Sequence, residues 1–487
     1  MRTTIAIAVA LMLVVAGCSQ APGTSPTTAG DQTGAQPLED PSSDVLGWEQ
    51  GYWYNETIAV TPNDGLNATE LNKSVARSMA RVEQLRGLEF QSKVPVRIQT
   101  REEFTKQQRN QSAPAKRRTF DNAKFEALFL INESTDSLAV QNSNSGSSVG
   151  GFYSPSKNSI VVISNAENAS TPTLDELTLG HELVHALQDQ HFNLSTFNQT
   201  TRELHNAKDG LIEGDANLVQ HLYSQRCRGA WNGSCSIPTR SSGSSGRLAN
   251  MGVYLLKYQP YSDGPAFVRS VRRQGDWKAV NELYQNSPAS TEQIIHPKKY
   301  GEDAPAEFSV QNRNSGNWKR LQLKGRPNYG SVGEAGIFSM FMYPYYETQG
   351  KTQLIPARQF FNINQSTGKL ANFNPLNYNS SYSDGWDGDK LAVYVNDNAK
   401  QNETGYVWKT KWDTRKDARE FATGYRKMLR YRNATKVDGR ANTWRIPQGR
   451  EYADAFYVKQ TGKTVVVVNA PRVAGLSKIR KGAAPKR

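Results

Sequence analysis

Along most of the chain, apolar residues return every three or four positions between stretches of Ser, Thr, Asn and Gly. That spacing predicts helices joined by polar turns. Over 67–88, Leu71, Val75, Met79, Val82 and Leu85 share one side of a helix. Further helical patterns cover 101–108, 121–130, 200–227, 248–258, 265–273, 277–285 and 333–346. Leu174, Leu177, Leu183, Val184 and Leu187 mark another helix, with Thr173-Leu174-Asp175-Glu176 as its N-cap and acidic first turn. Strand signatures appear at 94–98, on both sides of a Ser-, Pro- and Asn-rich turn within 150–163, and at 318–323. Past residue 385 the pattern becomes strands at 390–395, 405–411, 455–460 and 464–468 around one helix, 413–431. The expected architecture is α+β. A larger, mainly helical part with a small sheet spans 45–305, a smaller α+β region 306–475, and a basic tail 476–487.

The start of the chain departs from these patterns. Arg2 precedes an apolar run at 5–15, which ends in Val15-Ala16-Gly17-Cys18. The run is too short to span a bilayer and fits a lipoprotein signal peptide over 1–18, with Cys18 as the lipidated residue. Residues 19–44, rich in Gly, Ser, Thr, Pro and Gln, read as a flexible tether. The expected location is extracytoplasmic, lipid-anchored to the membrane. There, Cys227 and Cys235 in their turn-rich loop are expected to form a disulfide; a pair of zinc thiolates would need a matching second pair, which the chain lacks. About a dozen Asn-x-Ser/Thr sequons, among them Asn55, Asn67, Asn110, Asn168, Asn193, Asn232, Asn364 and Asn433, would carry sugar in a glycosylating cell.

The net charge of +14 is scattered apart from Lys116-Arg117-Arg118 and the tail. No nucleic-acid-binding signature accompanies it. The expected partners of the charge are an anionic lipid surface, a wall polymer or an acidic protein, with plain solubility as the alternative.

The chemistry concentrates in Gly180-His181-Glu182-Leu183-Val184-His185-Ala186-Leu187-Gln188-Asp189-Gln190. On a helix, His181 and His185 lie one turn apart on the same face, where both imidazoles reach one cation, and Glu182 stands beside them as a base for a bound water. With 6 His in the whole chain, chance is a poor account of this spacing. A catalytic zinc needs a third protein ligand. His191 has the spacing of one known pattern, but that pattern needs a chain break where this sequence has Gln188 in a good helical run. Glu213 on the following helix is favoured. Gly214 would let that helix approach the first closely, and Asp209, Asp215 and Asn217 are candidates to orient a ligand imidazole.

The run from His181 to Phe192 and the later Glu213-Gly214-Asp215-Ala216 resemble the gluzincin-type zinc metallopeptidases. They are similar, more closely still, to a family of archaeal and bacterial surface proteins, as are Ser290-Thr-Glu-Gln-Ile-Ile-His296-Pro and Gly385-Trp-Asp-Gly-Asp389. The resemblance implies a zincin-like catalytic domain holding Zn2+ through His181, His185 and Glu213, acting on a peptide or protein substrate. The zinc lowers the pKa of its water, and Glu182 takes that water's proton and passes it to the leaving amine. His296, with Tyr300 behind it, is the candidate second donor to the oxyanion. The strand at 150–153 is a candidate cleft edge for extended peptide, or an ordinary hairpin. Two other readings stand beside this one: a surface binding module with a structural or vestigial zinc, and a zinc hydrolase of a non-peptide amide or ester.

Overall fold

A computed structural model describes residues 45–60, 66–164, 174–231, 234–237, 248–397 and 403–486. Cys18, the leader and tether, Thr173, and the sequons at Asn168 and Asn232 lie outside them. The described chain runs through β1 (Trp48–Glu49), β2 (Tyr52–Trp53), α1 (Ala68–Arg86), β3 (Val96–Thr100), α2 (Arg101–Arg109), α3 (Ala115–Ala127), α4 (Ser137–Ser148), β4 (Gly151–Ser154), β5 (Ser159–Ser164), α5 (Glu176–Phe192), α6 (Arg202–Arg228), α7 (Met251–Glu282) and α8 (Thr291–Ile295). It continues with β6 (Trp318–Arg320), α9 (Gly333–Glu347), α10 (Ala357–Phe360), β7 (Trp386–Asn396), β8 (Thr404–Trp412), α11 (Arg415–Tyr431), β9 (Thr435–Lys436), β10 (Thr443–Arg445), β11 (Ala455–Thr461), β12 (Thr464–Ala470) and α12 (Val473–Ile479). The class is α+β.

Two compact units result. One gathers the described residues up to Arg109 with Ser143–His191 and Leu222–Leu248; the other takes Asn110–Asn142, Phe192–His221 and everything from Ala249 on. The sequence boundary at 305/306 therefore falls inside the second unit. Aromatic packing explains this: the ring of Phe129, just past α3, meets Tyr425, Tyr452 and Phe456 of the C-terminal region.

In the first unit, β5 is the centre of a three-stranded sheet, parallel to β3 and antiparallel to β4. Ile160 and Val162 are buried, as the β-branched run requires. α1 starts at a reciprocal capping box, Asn67 accepting from Thr69 and Glu70 amides while Glu70 accepts from the Asn67 amide. α5 is buried continuously from Thr178 to Gln188, so its apolar stripe covers only part of what it hides.

The second unit carries an antiparallel seven-stranded sheet in the order β6-β7-β8-β12-β11-β10-β9. Its residues alternate between two faces. Ala392, Tyr394, Val407, Val468 and Ala470 join Leu476 and Ile479 of α12 in one cluster. Trp408 turns the other way, onto Phe421 and Tyr425 of α11. The basic tail belongs to this core, since Ala483 and Ala484 are buried in the same cluster as α12.

Two further differences from the sequence reading have clear causes. The segments expected as separate helices at 248–258 and 265–273 run on as one through Pro260 and Pro265 in α7, whereas the expected separation before 277–285 is present as a break in helical geometry at Gly275 and Asp276. Gly264 lets α7 cross α6 backbone to backbone: a Cβ there would lie 2.5 Å from the Gly210 carbonyl oxygen. α4, Ser- and Asn-rich, has little intrinsic helix preference. Its start is held by side chains, Asn122 Oδ1 accepting from Ser137 N at 2.9 Å and Asp136 Oδ1 from Ala139 N at 2.8 Å.

Near the start of α6, the buried Glu203 carboxylate accepts from Thr291 N at 2.6 Å and from its hydroxyl at 2.8 Å. Gly333, at φ 71°, leaves the space that this carboxylate fills. Burial pushes the Glu203 pKa up from 4.5 to about 8 against these hydrogen bonds. The folded chain thus holds a proton that the unfolded chain releases, and stability falls as pH rises from about 4.5 to about 8. Thermal unfolding at pH 5 and pH 8 tests this. Glu203→Gln is expected to lose less of its melting temperature between them than the parent; an equal loss would exclude Glu203 as a source.

Candidate metal centre

α5 begins over a desolvated carboxylate. Glu176 accepts from Arg77 at 3.1 Å, from Arg81, from the Tyr223 hydroxyl at 2.5 Å and from Ser236 N at 2.7 Å. Two guanidiniums, a phenol and an amide replace the lost water, which makes burial of this charge tolerable. The disulfide Cys227–Cys235, with Cα atoms 5.8 Å apart, closes the loop that presents Ser234 to Arg81 and Ser236 to Glu176. Gly180 completes the fit: a Cβ there would sit 3.2 Å from the Tyr223 ring.

Along the helix, His181 and His185 face each other. Their Nε2 atoms are 3.0 Å apart, the ring planes inclined at 84°. His185 Nδ1 lies 2.9 Å from Gln188 Oε1. An amide oxygen only accepts, so Nδ1 carries the proton and Nε2 presents a lone pair on the His181 side. Two imidazoles on one tetrahedral zinc, at Zn–N of ~2.0–2.1 Å, have nitrogens about 3.3 Å apart. The pair is close to that separation already.

His181, His185 and Glu213 form a group whose ligand atoms all lie within 4.8 Å of one another, and all three residues are buried. Tyr261 donates to Glu213 Oε1 at 2.7 Å and fixes the carboxylate. Two imidazole nitrogens and one carboxylate are the donor set of a zinc site with a position left for water or substrate, so the residues present fit the metal.

The described residues include two other such groups. In Glu292, Asp303 and Asp413, the Lys299 ammonium sits among the carboxylates at 2.6, 2.9 and 2.6 Å. In His296, Glu334 and Asp384, the imidazole lies 3.1 Å from buried Glu334 and 3.7 Å from Asp384. Burial lowers the His296 pKa, but the hydrogen bond and charge of Glu334 and the charge of Asp384 outweigh it and leave it raised. In both groups a basic side chain of the chain itself already sits against the carboxylates.

Glu182 is buried beside Gly151 of β4, where an added Cβ would come 3.4 Å from the Glu182 Cγ. β4 is an edge strand of its sheet. The residues that follow the motif tie this region together. Asp189 accepts from the Tyr153 hydroxyl at 2.9 Å, and Gln190 bonds both ways to the backbone of Gln91 and Ser92. His191 Nε2 meets the Glu89 carbonyl at 2.7 Å, and no candidate metal group among the described residues includes it. The helix continues past Gln188 and carries His191 into its last turn.

Several expected roles find other partners. Gly214 is a close-approach residue, but its neighbour is α7: a Cβ would lie 2.5 Å from the Gly264 carbonyl oxygen. Asp209 pairs with Lys208 at 2.8 Å and His205 at 3.2 Å, and Asn217 donates to the Glu213 backbone carbonyl at 2.8 Å. Asp215 accepts from Tyr284 at 2.7 Å. The Tyr300 hydroxyl donates to the Asn286 carbonyl at 2.5 Å, and His296 Nε2 lies 3.1 Å from a carboxylate oxygen of Glu334. Sequence reasoning missed Gln188, Tyr261 and the Glu176 cluster. Gln188 had a signal, three residues past His185 on the same helix; Tyr261 and Arg77 had none.

The family described as a domain of unknown function (DUF8575) matches residues 319–480, the region of the seven-stranded sheet. The match leaves out His181, His185 and Glu213. No curated protein and no solved structure matches the chain.

Removing the Glu176 charge would leave two buried guanidiniums short of a counter-charge. Glu176→Gln is expected to cost about 3–5 kcal/mol of stability, read by denaturant unfolding. A change under about 1 kcal/mol, the range of an exposed pair, would show that water shields the cluster.

Proposed function

We propose that the protein is a zinc-dependent peptidase of the gluzincin type with a zincin-like catalytic region, anchored through lipidated Cys18 at the outer face of the membrane. One observation carries the reading: the ligand atoms of His181, His185 and Glu213 converge within 4.8 Å. The Gln188 hydrogen bond supports it, because it selects the His185 tautomer that ligates a metal through Nε2. His181, His185 and Glu213 would hold the zinc, and Tyr261 would keep Glu213 aimed. Bound there, zinc would polarise the scissile carbonyl and acidify a water.

The remaining steps belong to the chain's own groups. The Glu182 carboxylate takes the proton of the attacking water and delivers it to the nitrogen of the departing amine. β4 is an edge strand of its sheet, and an extended peptide would add beside it, next to Glu182, as a further strand. Gly151 keeps that approach uncluttered, since it has no side chain to compete with Glu182. The resemblance of the motif run to zinc peptidases points the same way, as does a carboxylate in the general-base position, which a purely structural metal would not need.

Purified protein is expected to carry about one zinc per chain and to cleave peptides until a chelator removes the metal. Glu182→Gln should keep the zinc and the melting temperature and lose cleavage by several orders of magnitude. Gln188→Ala should weaken zinc affinity roughly 10–100-fold, measured by competition with a chromophoric chelator. Metal-free protein, or full activity in Glu182→Gln, would end the proposal.

A further inference from the structure

Two stretches that stand out in the sequence, 290–297 and 385–389, take no part in the proposed zinc chemistry. Both lead to one place in the second unit. Ser290 caps α8 by accepting from Gln293 N at 3.2 Å, and α8 delivers His296 at its C-terminal end. Asp389 accepts from the Val332 and Gly333 amides, which fixes the start of α9 next to Glu334. Asp384, just before Gly385, closes a turn by donating from its amide to the Ser380 carbonyl at 2.8 Å.

The result is one imidazole and two carboxylates whose ligand atoms lie within 4.8 Å of one another. His296 Nε2 is 3.1 Å from each oxygen of Glu334 and 3.7 Å from Asp384 Oδ1. Donors that share one metal ion at about 2.0–2.2 Å stand roughly 3 Å apart. Access is graded. Glu334 is buried, the His296 side chain is 17% exposed and that of Asp384 56%, so an ion reaches the group from solvent.

Glu334 supplies an independent observation. Its Oε2 is buried with no hydrogen-bond partner among the described residues, because the hydrogen bonds of His296 and of the Ser383 hydroxyl both go to Oε1. A carboxylate oxygen shut off from water is costly unless a cation or a donor faces it. The count of charges points the same way. The nearby Lys299 ammonium is taken up by Glu292, Asp303 and Asp413, which leaves one imidazole against Glu334 and Asp384. The two basic groups also differ in kind. An ammonium offers only donors, whereas an imidazole without its Nε2 proton presents a lone pair to an ion.

We propose that His296, Glu334 and Asp384 are a second metal site, for a divalent first-row cation. One nitrogen with carboxylate oxygens suits Mn2+ or Zn2+ better than Mg2+ or Ca2+, which favour oxygen alone. Binding is weaker than at the first centre, since Asp384 is exposed and the ion must displace a proton. Metal kept through purification is then that of the buried triad. The ion would tie the end of α8, the start of α9 and the entry to β7 together. This site does not depend on the peptidase reading.

The test titrates Mn2+ into the zinc-loaded, dialysed full chain and follows loss of the free-ion EPR signal. About one Mn2+ per chain is expected to bind, with an imidazole nitrogen coupled to it in spin-echo modulation. Asp384→Asn, at an exposed position, should weaken that Mn2+ at least roughly tenfold, the scale for removing a metal's supporting groups. His296→Gln should also abolish the nitrogen coupling. Asp303→Asn, in the neighbouring lysine-centred group, should leave the affinity unchanged. No uptake of Mn2+ would reduce the group to an ion pair of the chain and overturn the site. Uptake that Asp384→Asn leaves unchanged, or that Asp303→Asn weakens as much, would overturn it too. A chain without zinc that still binds Mn2+ through Asp384 sinks the peptidase reading alone.

Discussion

Two buried imidazole nitrogens held 3.0 Å apart are the constraint from which the rest of the first unit follows. Nitrogens at that distance can share a single proton or a single metal ion, which requires both imidazoles to be held in place. The surroundings of α5 meet that demand at both ends. Its start is clamped by Glu176 between Arg77, Arg81 and Tyr223, and its end by Gln190 and His191 against the backbone of 89–92. Between the clamps, Tyr153 draws β4 onto Asp189. Almost every polar residue in and after the motif therefore has a structural partner as well as a chemical one.

Glu213 is governed by different contacts. α6 and α7 cross through Gly214 and Gly264, where no side chain fits, and Tyr261 of α7 donates to the Glu213 carboxylate at 2.7 Å. The seven-stranded sheet supports α9 from the same unit: Asp389 of β7 accepts from Val332 and Gly333 amides at the helix start and from Trp408 of β8. A buried carboxylate at that position complements the positive end of the helix.

Local pattern made much of this legible. The helix carrying His181 and His185, the long helix with Glu213, the hairpin of β4 and β5, and the strands of β7, β8, β11 and β12 all have sequence periodicities strong enough to place them. The rest depended on distance in sequence. Nothing near Glu176 announces Arg77 or Tyr223, and nothing near Glu213 announces Tyr261, because these pairings exist only after helices cross. Asp209 misled for a related reason. One turn from Glu213 it looks like a partner for an imidazole, yet Lys208 and His205, both local, claim it. α4 was invisible because its Ser and Asn residues have low helix propensity and depend on Asn122 and Asp136 to start it. The division at 305/306 missed α3, whose neighbouring Phe129 packs into aromatic residues three hundred positions later.

The small loop closed by Cys227 and Cys235 has an implication for how the chain must be made. Ser234 and Ser236 reach Arg81 and Glu176 from within or beside that loop. Formation of the sulfur–sulfur bond is thus coupled to seating the first turn of α5. Synthesis where glutathione keeps thiols reduced would yield chains whose histidine pair is spelled correctly but whose helix lacks its anchor. Recombinant material for metal analysis therefore needs an oxidising route, or refolding with a thiol–disulfide couple, before its zinc content means anything.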